Sequence, residues 1–189
     1  MMLALLCAAA VSPSPRGGEG RGEGKPFHQP TIEASAVYGI SSRPAFGALV
    51  GATWSWDWAE LGLLGGYQAE PYVLYEAYLQ GAQVTGATHR VQVLATAGAK
   101  WSFWRLALGA QLLGGWSHVV LHGTLINEKW GVSGTLDTAA GAFTFGAGLS
   151  LTLRLSDHLD LTVRGLVPLP FASGVTGYAT LALGLAYRF

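Results

Sequence analysis

Apolar and polar residues alternate, with a period of two, over most of the chain from residue 31 onward. In the stretch 45–58, Trp54 and Trp56 have one parity, and Thr53 and Ser55 have the other. Alternate residues of a β-strand point to opposite sides of the sheet, so this period indicates strands with one apolar face. The alternation returns in eight segments: 31–41, 45–58, 60–69, 89–101, 104–117, 141–155, 159–167 and 177–189. The sequence therefore predicts an all-β fold.

The charged residues distinguish the two faces further. All ten Asp, Glu, Lys and Arg residues within these segments lie on the polar face. A charge that faces lipid at the bilayer midplane costs about 2–4 kcal/mol, so a membrane-spanning sheet has to obey this rule and a soluble sheet does not. Charged residues make up 12% of the chain, about half of what soluble domains contain. The apolar face therefore suits lipid better than water.

The lengths of the apolar runs decide how the chain crosses a membrane. After the N-terminal residues, no run reaches the roughly 18 apolar residues of a spanning helix. Strands cross a bilayer as a closed barrel, because closure pairs every backbone group and leaves no edge in lipid. A soluble eight-stranded barrel would have to hold the large apolar side chains inside, where there is too little room. We therefore predict an eight-stranded antiparallel up-and-down transmembrane β-barrel.

The stretch 72–84 decides the number of strands. Counting it as a span makes nine, whereas single-chain bacterial barrels have an even number, so ten strands is the alternative to eight. Eight strands sort the aromatic residues into two belts, as expected at the two membrane interfaces. The first belt contains Trp54, Trp56, Trp58, Trp101, Trp104, Tyr187 and Phe189, and the second contains Tyr38, Phe46, Tyr67, Trp116 and Phe143. The two aromatic belts therefore favour eight strands.

Two connections between the predicted strands, 70–88 and 118–140, are much longer than the others. Short turns of such barrels face the periplasm and long loops face outward, so we expect an extracellular ligand to bind through these two stretches. Residues 72–80 keep the parity of the preceding strand, which indicates a hairpin that projects beyond the bilayer. A helix with a tyrosine stripe is the alternative. Residues 119–136 predict a second hairpin that turns at 127–129.

The N-terminal residues predict export rather than structure. Residues 1–11 form a short apolar core followed by small residues, as in a signal peptide. Cys7 raises the alternative of a lipidated cysteine, but the bulky Leu6 before it favours a thiol that is removed with the signal. Residues 12–30 are rich in Pro and Gly and predict a disordered linker. The barrel then occupies 31–189.

Eight charged side chains of the polar face lie toward the predicted periplasmic mouth. Four are acidic and four are basic: Glu33, Asp57, Glu60, Asp160, Lys100, Arg105, Arg154 and Arg188. Poorly hydrated charges have to be paired and hydrogen-bonded, so these residues predict a plug that fills the lumen. A gate or narrow ion path is the functional alternative.

A few residues raise the hypothesis of a lipid-modifying hydrolase, which needs a Ser, a His and a carboxylate in mutual reach. Ser117, His118, His122, Glu128 and Asp137 lie in or near one long connection. No familiar motif surrounds them, and His118 has lipid-side parity. His89, His118 and His122 lack the carboxylate pattern that would support a metal site. We therefore predict no catalytic residue, metal or cofactor, with the hydrolase as the alternative function and a narrow channel as the third.

The C-terminal stretch Gly-Leu-Ala-Tyr-Arg-Phe resembles the assembly signal of bacterial outer-membrane barrels. Gly184, Tyr187 and Phe189 match its glycine, the aromatic residue two positions before its end and its terminal aromatic residue, whereas Ala182 occupies a position that is usually polar. The resemblance implies the barrel assembly machinery and periplasmic chaperones as partners during biogenesis. Together with the eight strands, it makes the chain similar to small OmpA/OmpX-type barrels.

This resemblance implies an integral protein of the bacterial outer membrane, with outer-membrane lipid as its surroundings. We expect a role in surface interaction, adhesion or envelope structure, because functions of this class vary while the fold stays the same. A net charge of zero and the lack of a basic block argue against nucleic-acid binding.

Overall fold

The computed structural model describes residues 30–40, 44–56, 58–76, 82–127, 130–171 and 178–189. The strands are β1 (Pro30–Ile40), β2 (Pro44–Trp56), β3 (Ala59–Glu76), β4 (Ala82–Phe103), β5 (Leu106–Asn127), β6 (Val132–Arg154), β7 (Leu159–Pro170) and β8 (Ala179–Arg188). The predicted signal peptide and residues 12–29 of the predicted linker lie outside the described residues. Among the residues described, no helix is long and apolar enough to cross a membrane.

The eight strands form one closed antiparallel ring. Each strand pairs with the next, and β1 pairs with β8 over Thr31 to Ile40. At this seam Gly184 lies opposite Ser35, and a Cβ at Gly184 would lie 2.3 Å from the Ala34 carbonyl oxygen. The close approach of the two strands therefore requires glycine there. The ring confirms the predicted eight-stranded barrel, and the ten-strand alternative is wrong.

The strands differ in length on the two sides of the ring. β1, β2, β7 and β8 have 10 to 13 residues, whereas β3 has 18 and β4 to β6 have 22 or 23. The β2–β3 pairing ends at Phe46 and Ala69, and the β6–β7 pairing begins at Thr144 and Pro170. Past these pairs, β3 to β6 continue as a four-stranded sheet. We call its residues 70–76, 82–88, 119–127 and 132–140 the projecting sheet.

The projecting sheet agrees with the two predicted hairpins. Residues 72–76 belong to β3 and pair with 82–86 of β4, so the helical alternative is wrong for these residues. Residues 77–81 lie outside the described part of the chain. The second hairpin pairs Asn127 with Val132, and Gly131 at its tip has a φ of 62°, in the left-handed region that favours glycine.

Short connections lie at the opposite end of the barrel, which we call the turn end. β4 and β5 are joined by Trp104 and Arg105 alone, with Trp104 at a φ of 53°. Arg105 is exposed in this turn, with its guanidinium carbon 5.3 Å from the centre of the Trp104 ring. The assignment of Arg105 to the lumen is therefore corrected, because the alternation of a strand does not extend through a turn.

Candidate functional site

Arg164 of β7 is the centre of an ion-pair network inside the barrel. Its Nη2 lies 2.7 Å from Glu33 Oε2, and its Nη1 lies 3.9 Å from Glu60 Oε1. Nη1 also donates to Gln111 Oε1 at 3.1 Å, and Lys100 Nζ lies 3.4 Å from Glu60 Oε2. Arg164, Glu33 and Glu60 are all buried. The guanidinium thus joins carboxylates of β1 and β3 across the lumen.

A second ion pair connects the last two strands near the turn end. Arg188 Nη2 lies 2.6 Å from Asp160 Oδ1 and donates to the Ser156 carbonyl oxygen at 3.2 Å. Arg154 is half-buried and pairs in register with Asp160 across β6 and β7. The predicted member Asp57 lies outside the described residues. The structure therefore places Glu33, Glu60, Lys100, Arg154, Asp160 and Arg188 inside the barrel wall and adds Arg164, which sequence reasoning left out.

An apolar layer lies inside the barrel. It consists of Val37, Leu49, Leu64, Leu94, Leu113, Leu166 and Ala182, each at most 5% exposed. These residues have lumen-facing parity, so the lumen contains apolar side chains in addition to the predicted plug of charges. Leu166 lies two residues from Arg164 on the same face of β7, which places the layer directly beside the ion-pair network. The side chains of this layer offer no hydrogen-bond partner to water, which needs polar partners in a cavity.

A third set of interior contacts lies nearer the projecting sheet. Tyr178 Oη donates to Gln92 Oε1 at 2.5 Å, and the Arg90 guanidinium carbon lies 3.6 Å from the centre of the Tyr178 ring. Gln68 Nε2 donates to Thr180 Oγ1 at 3.2 Å. Tyr178 precedes β8, outside the strands; burial raises the pKa of its phenol above the ordinary value, against the opposing effect of Arg90. The phenol therefore stays a donor at neutral pH.

The outer surface of the barrel is apolar between the two aromatic belts. Phe46 and Trp54 point outward from β2 and are 59% and 47% exposed. At ~3.4 Å per residue and a tilt of about 40°, the eight residue steps from Phe46 to Trp54 span about 20 Å along the membrane normal. This is close to the apolar band of about 25 Å of known outer-membrane barrels. The height of the apolar outer surface therefore fits the hydrocarbon core of a bilayer.

Of the described residues of the hydrolase hypothesis, His122 and Asp137 are in contact, but Ser117 lies on the opposite face of β5. Ser117 is 2% exposed and accepts a hydrogen bond from Thr144 Oγ1 at 2.9 Å inside the barrel. His118 follows it on the strand and points to the outside. His122 Nδ1 contacts Asp137 Oδ1, but both side chains are more than half exposed on the projecting sheet. Glu128 lies outside the described residues, and within those residues no group of three His, Cys, Asp or Glu side chains is placed to hold a metal ion.

The tip of the projecting sheet carries exposed apolar side chains. Trp130 is 64% exposed and Val132 is 51% exposed, and Ile126 and Leu136 are also exposed. The Trp130 backbone N–H donates to the Asn127 side-chain oxygen at 3.2 Å, which fixes the turn. The length of the stretch 118–140 was the signal in the sequence for this surface.

Comparisons by sequence found no match among protein-family models or curated proteins. Solved structures share the fold. Ail, the attachment invasion locus protein of Yersinia pestis, superposes with a TM-score of 0.52 at 14% identity, covering 85% of this chain and 97% of Ail. Neisserial surface protein A gives a TM-score of 0.48 at 10% identity and covers 84% of this chain and 94% of its own. The N-terminal β-barrel domain of Pseudomonas aeruginosa OprF gives 0.46 at 16% identity, covering 84% and 97%.

The fold and the exterior together define the class of protein. A closed ring of eight antiparallel strands, an apolar outer face and two aromatic belts are the features of an integral β-barrel of the bacterial outer membrane. At 14% identity, the similarity to Ail shows a shared fold and does not indicate shared binding residues.

Proposed function

We propose that the protein serves in surface interaction, with the projecting sheet as its binding surface on the outside of the cell. The single observation that carries this proposal is the length of β4 to β6. About 9–11 residues are enough for a strand to span the outer membrane, yet these strands have 22 or 23. About half of each strand is therefore not needed for crossing the membrane.

The composition of the tip supports binding to a protein or cell surface. Exposed tryptophan is enriched at the centres of protein interfaces, where it contributes a large part of the affinity. Trp130, Val132 and Leu136 are exposed beyond the second aromatic belt, where we expect water rather than lipid around them. Ail, whose name states attachment and invasion, has the same fold, which is compatible with this role.

The interior argues against transport as the main role. The buried apolar layer and the network around Arg164 lie in the lumen, where eight strands leave room only for side chains, and this supports a filled lumen. A role in envelope structure is the other outcome, and the experiment below distinguishes it.

The test compares bacteria that carry the full-length protein or its variants for binding to epithelial cell monolayers. The triple variant Trp130→Ser, Val132→Ser, Leu136→Ser should bind about tenfold less, the size expected from removal of interface anchors. The matched control Thr124→Ala, Thr135→Ala changes exposed positions on the same sheet and should bind normally. Equal adhesion of all strains, together with increased detergent sensitivity in a strain without the protein, would replace the proposal with an envelope role.

A further inference from the structure

The described basic groups on the barrel exterior near the projecting sheet are all histidines. The basic side chains of the strands lie on the lumen side: Arg90, Lys100, Arg154, Arg164 and Arg188. Arg105 lies in a turn at the opposite end. Within the described part of the chain, the basic groups on the exterior at the sheet end are therefore His89, His118 and His122.

Two of these histidines lie at the level of the second aromatic belt. His89 Nδ1 is hydrogen-bonded to Tyr67 Oη at 2.7 Å, and the two rings stack with their centres 6.0 Å apart. His118 is exposed two residues beyond Trp116, on the same face of β5. Belt aromatics mark the depth of lipid headgroups, so these imidazoles lie among headgroups as well.

Among the described side chains, the strands beside the two histidines supply no acidic partner for them. His89 lies opposite Ala69 of β3 and Val120 of β5, and His118 lies opposite Val91 and Gly141. Within the side chains that the structure describes, the titratable groups facing them on the exterior are Tyr67 of β3, His122 of β5 and Asp137 of β6. Asp137 is in contact with His122, four residues farther from the belt than His118. Glu70 and Arg90 have lumen-facing parity on β3 and β4.

We propose that His89 and His118 form a site for the phosphate of anionic lipid headgroups in the bilayer, occupied when the imidazoles are protonated. Imidazole changes its charge between about pH 5 and 8, and its protonated form donates two N–H groups. At His89, Nδ1–H then donates to Tyr67 Oη, which leaves Nε2–H for a phosphate oxygen. The site rests on the membrane position of the belts and is independent of adhesion by the projecting sheet.

The test uses the full-length protein in nanodiscs with histidine-labelled NMR, comparing phosphatidylglycerol with phosphatidylcholine. The fraction of His89 and His118 rings in contact with headgroups at pH 5 should be about two- to fivefold larger in phosphatidylglycerol than in phosphatidylcholine, the range of an exposed ion pair. Nuclear Overhauser contacts from both rings to headgroup protons should be present at pH 5 and absent at pH 8. His122 is the internal control and should change less, because it lies beyond the belt and contacts Asp137.

Equal changes at His89, His118 and His122 would overturn the site in favour of a diffuse surface potential. Equal headgroup contacts in the two lipids, or headgroup contacts that do not depend on pH, would also overturn it. The variant Tyr67→Phe sharpens the result, since it should weaken the contact of His89 and leave that of His118 unchanged. None of these outcomes depends on whether cells adhere through the projecting sheet.

Discussion

The membrane band of the barrel and the projecting sheet consist of the same strands but differ in what surrounds their side chains. In β6, residues from Ala142 toward the turn end alternate between buried and exposed, whereas Val132 to Gly141 are all exposed. The band has lipid on one side and a packed lumen on the other. The projecting sheet has no core of this kind along β6. Stability should therefore be concentrated in the band, while the sheet is free to vary.

The largest effect should follow from breaking the ion-pair network of the band. Arg164→Ala leaves Glu33 and Glu60 without the guanidinium that joins them, and removal of one partner from a buried pair costs about 3–5 kcal/mol. Urea unfolding in detergent micelles, followed by tryptophan fluorescence, measures the free energy of unfolding. Arg105→Ala in the exposed turn is the control and should stay within about 0.5 kcal/mol. Equal stability of the two variants would contradict the network.

A somewhat smaller effect is expected from the apolar layer. Leu64→Ala leaves a cavity in the packed lumen and should cost about 2–4 kcal/mol, because the neighbours relax only partly. Leu63 is the adjacent control: it is 60% exposed on the lipid side, where lipid chains fill the space, so Leu63→Ala should cost much less. Planar-bilayer recordings add a second measurement. Steady conductance of the unsubstituted protein would mean that the layer is not a barrier.

The aromatic end of β8 should matter less for stability than for assembly. Tyr187 and Phe189 are exposed and their rings meet edge to face at 5.1 Å, a contact of about 0.5–1.5 kcal/mol. We propose that the barrel assembly machinery recognises the same residues. Changing both to Ser should therefore reduce insertion in cells strongly while folding into detergent continues. Normal outer-membrane levels of this variant would refute recognition by that machinery.

The smallest effect on stability is expected from shortening the projecting sheet. Leu121 and Thr138 are paired, so residues 122–137 can be replaced by an Asn-Gly turn without changing the register. The free energy of unfolding should change by about 1 kcal/mol or less, the scale of substitutions away from packed sites. Heat-modifiable migration on gels should persist. A shortened protein that no longer folds would show that the sheet contributes to the band.

Local periodicity explains why so much of the band was predictable. The side of the wall on which Trp54 or Glu60 lies follows from its parity alone, and the long connections already had the alternation of hairpins. The strand count needed one additional constraint, the sorting of aromatic residues into two belts. These features depend on residues close together in the chain.

Contacts across the lumen were less accessible from the sequence. Arg164 and Glu33 lie on β7 and β1, which are not adjacent in the ring, so no pairing register brings them together. The inward leucines could not be recognised as a separate layer, because the outward face contains many apolar residues as well. Leu64, for example, follows Leu63, and composition alone does not separate them. Which inward side chains meet depends on the stagger of the ring, and the alternation contains no information about it.

The seam between β1 and β8 has a consequence for the speed of folding. Thr31 pairs with Arg188, 157 positions away along the chain, whereas Phe103 and Leu106 of the β4–β5 hairpin are only three positions apart. Bringing distant segments together costs more chain entropy than closing a hairpin, and proteins rich in such distant contacts fold slowly. The hairpins can therefore form early and independently. The β1–β8 pairing forms later, after the other pairings have placed its two strands side by side. Until then β1 and β8 each have one open edge, and that interval is when the chain is most vulnerable to pairing with another copy.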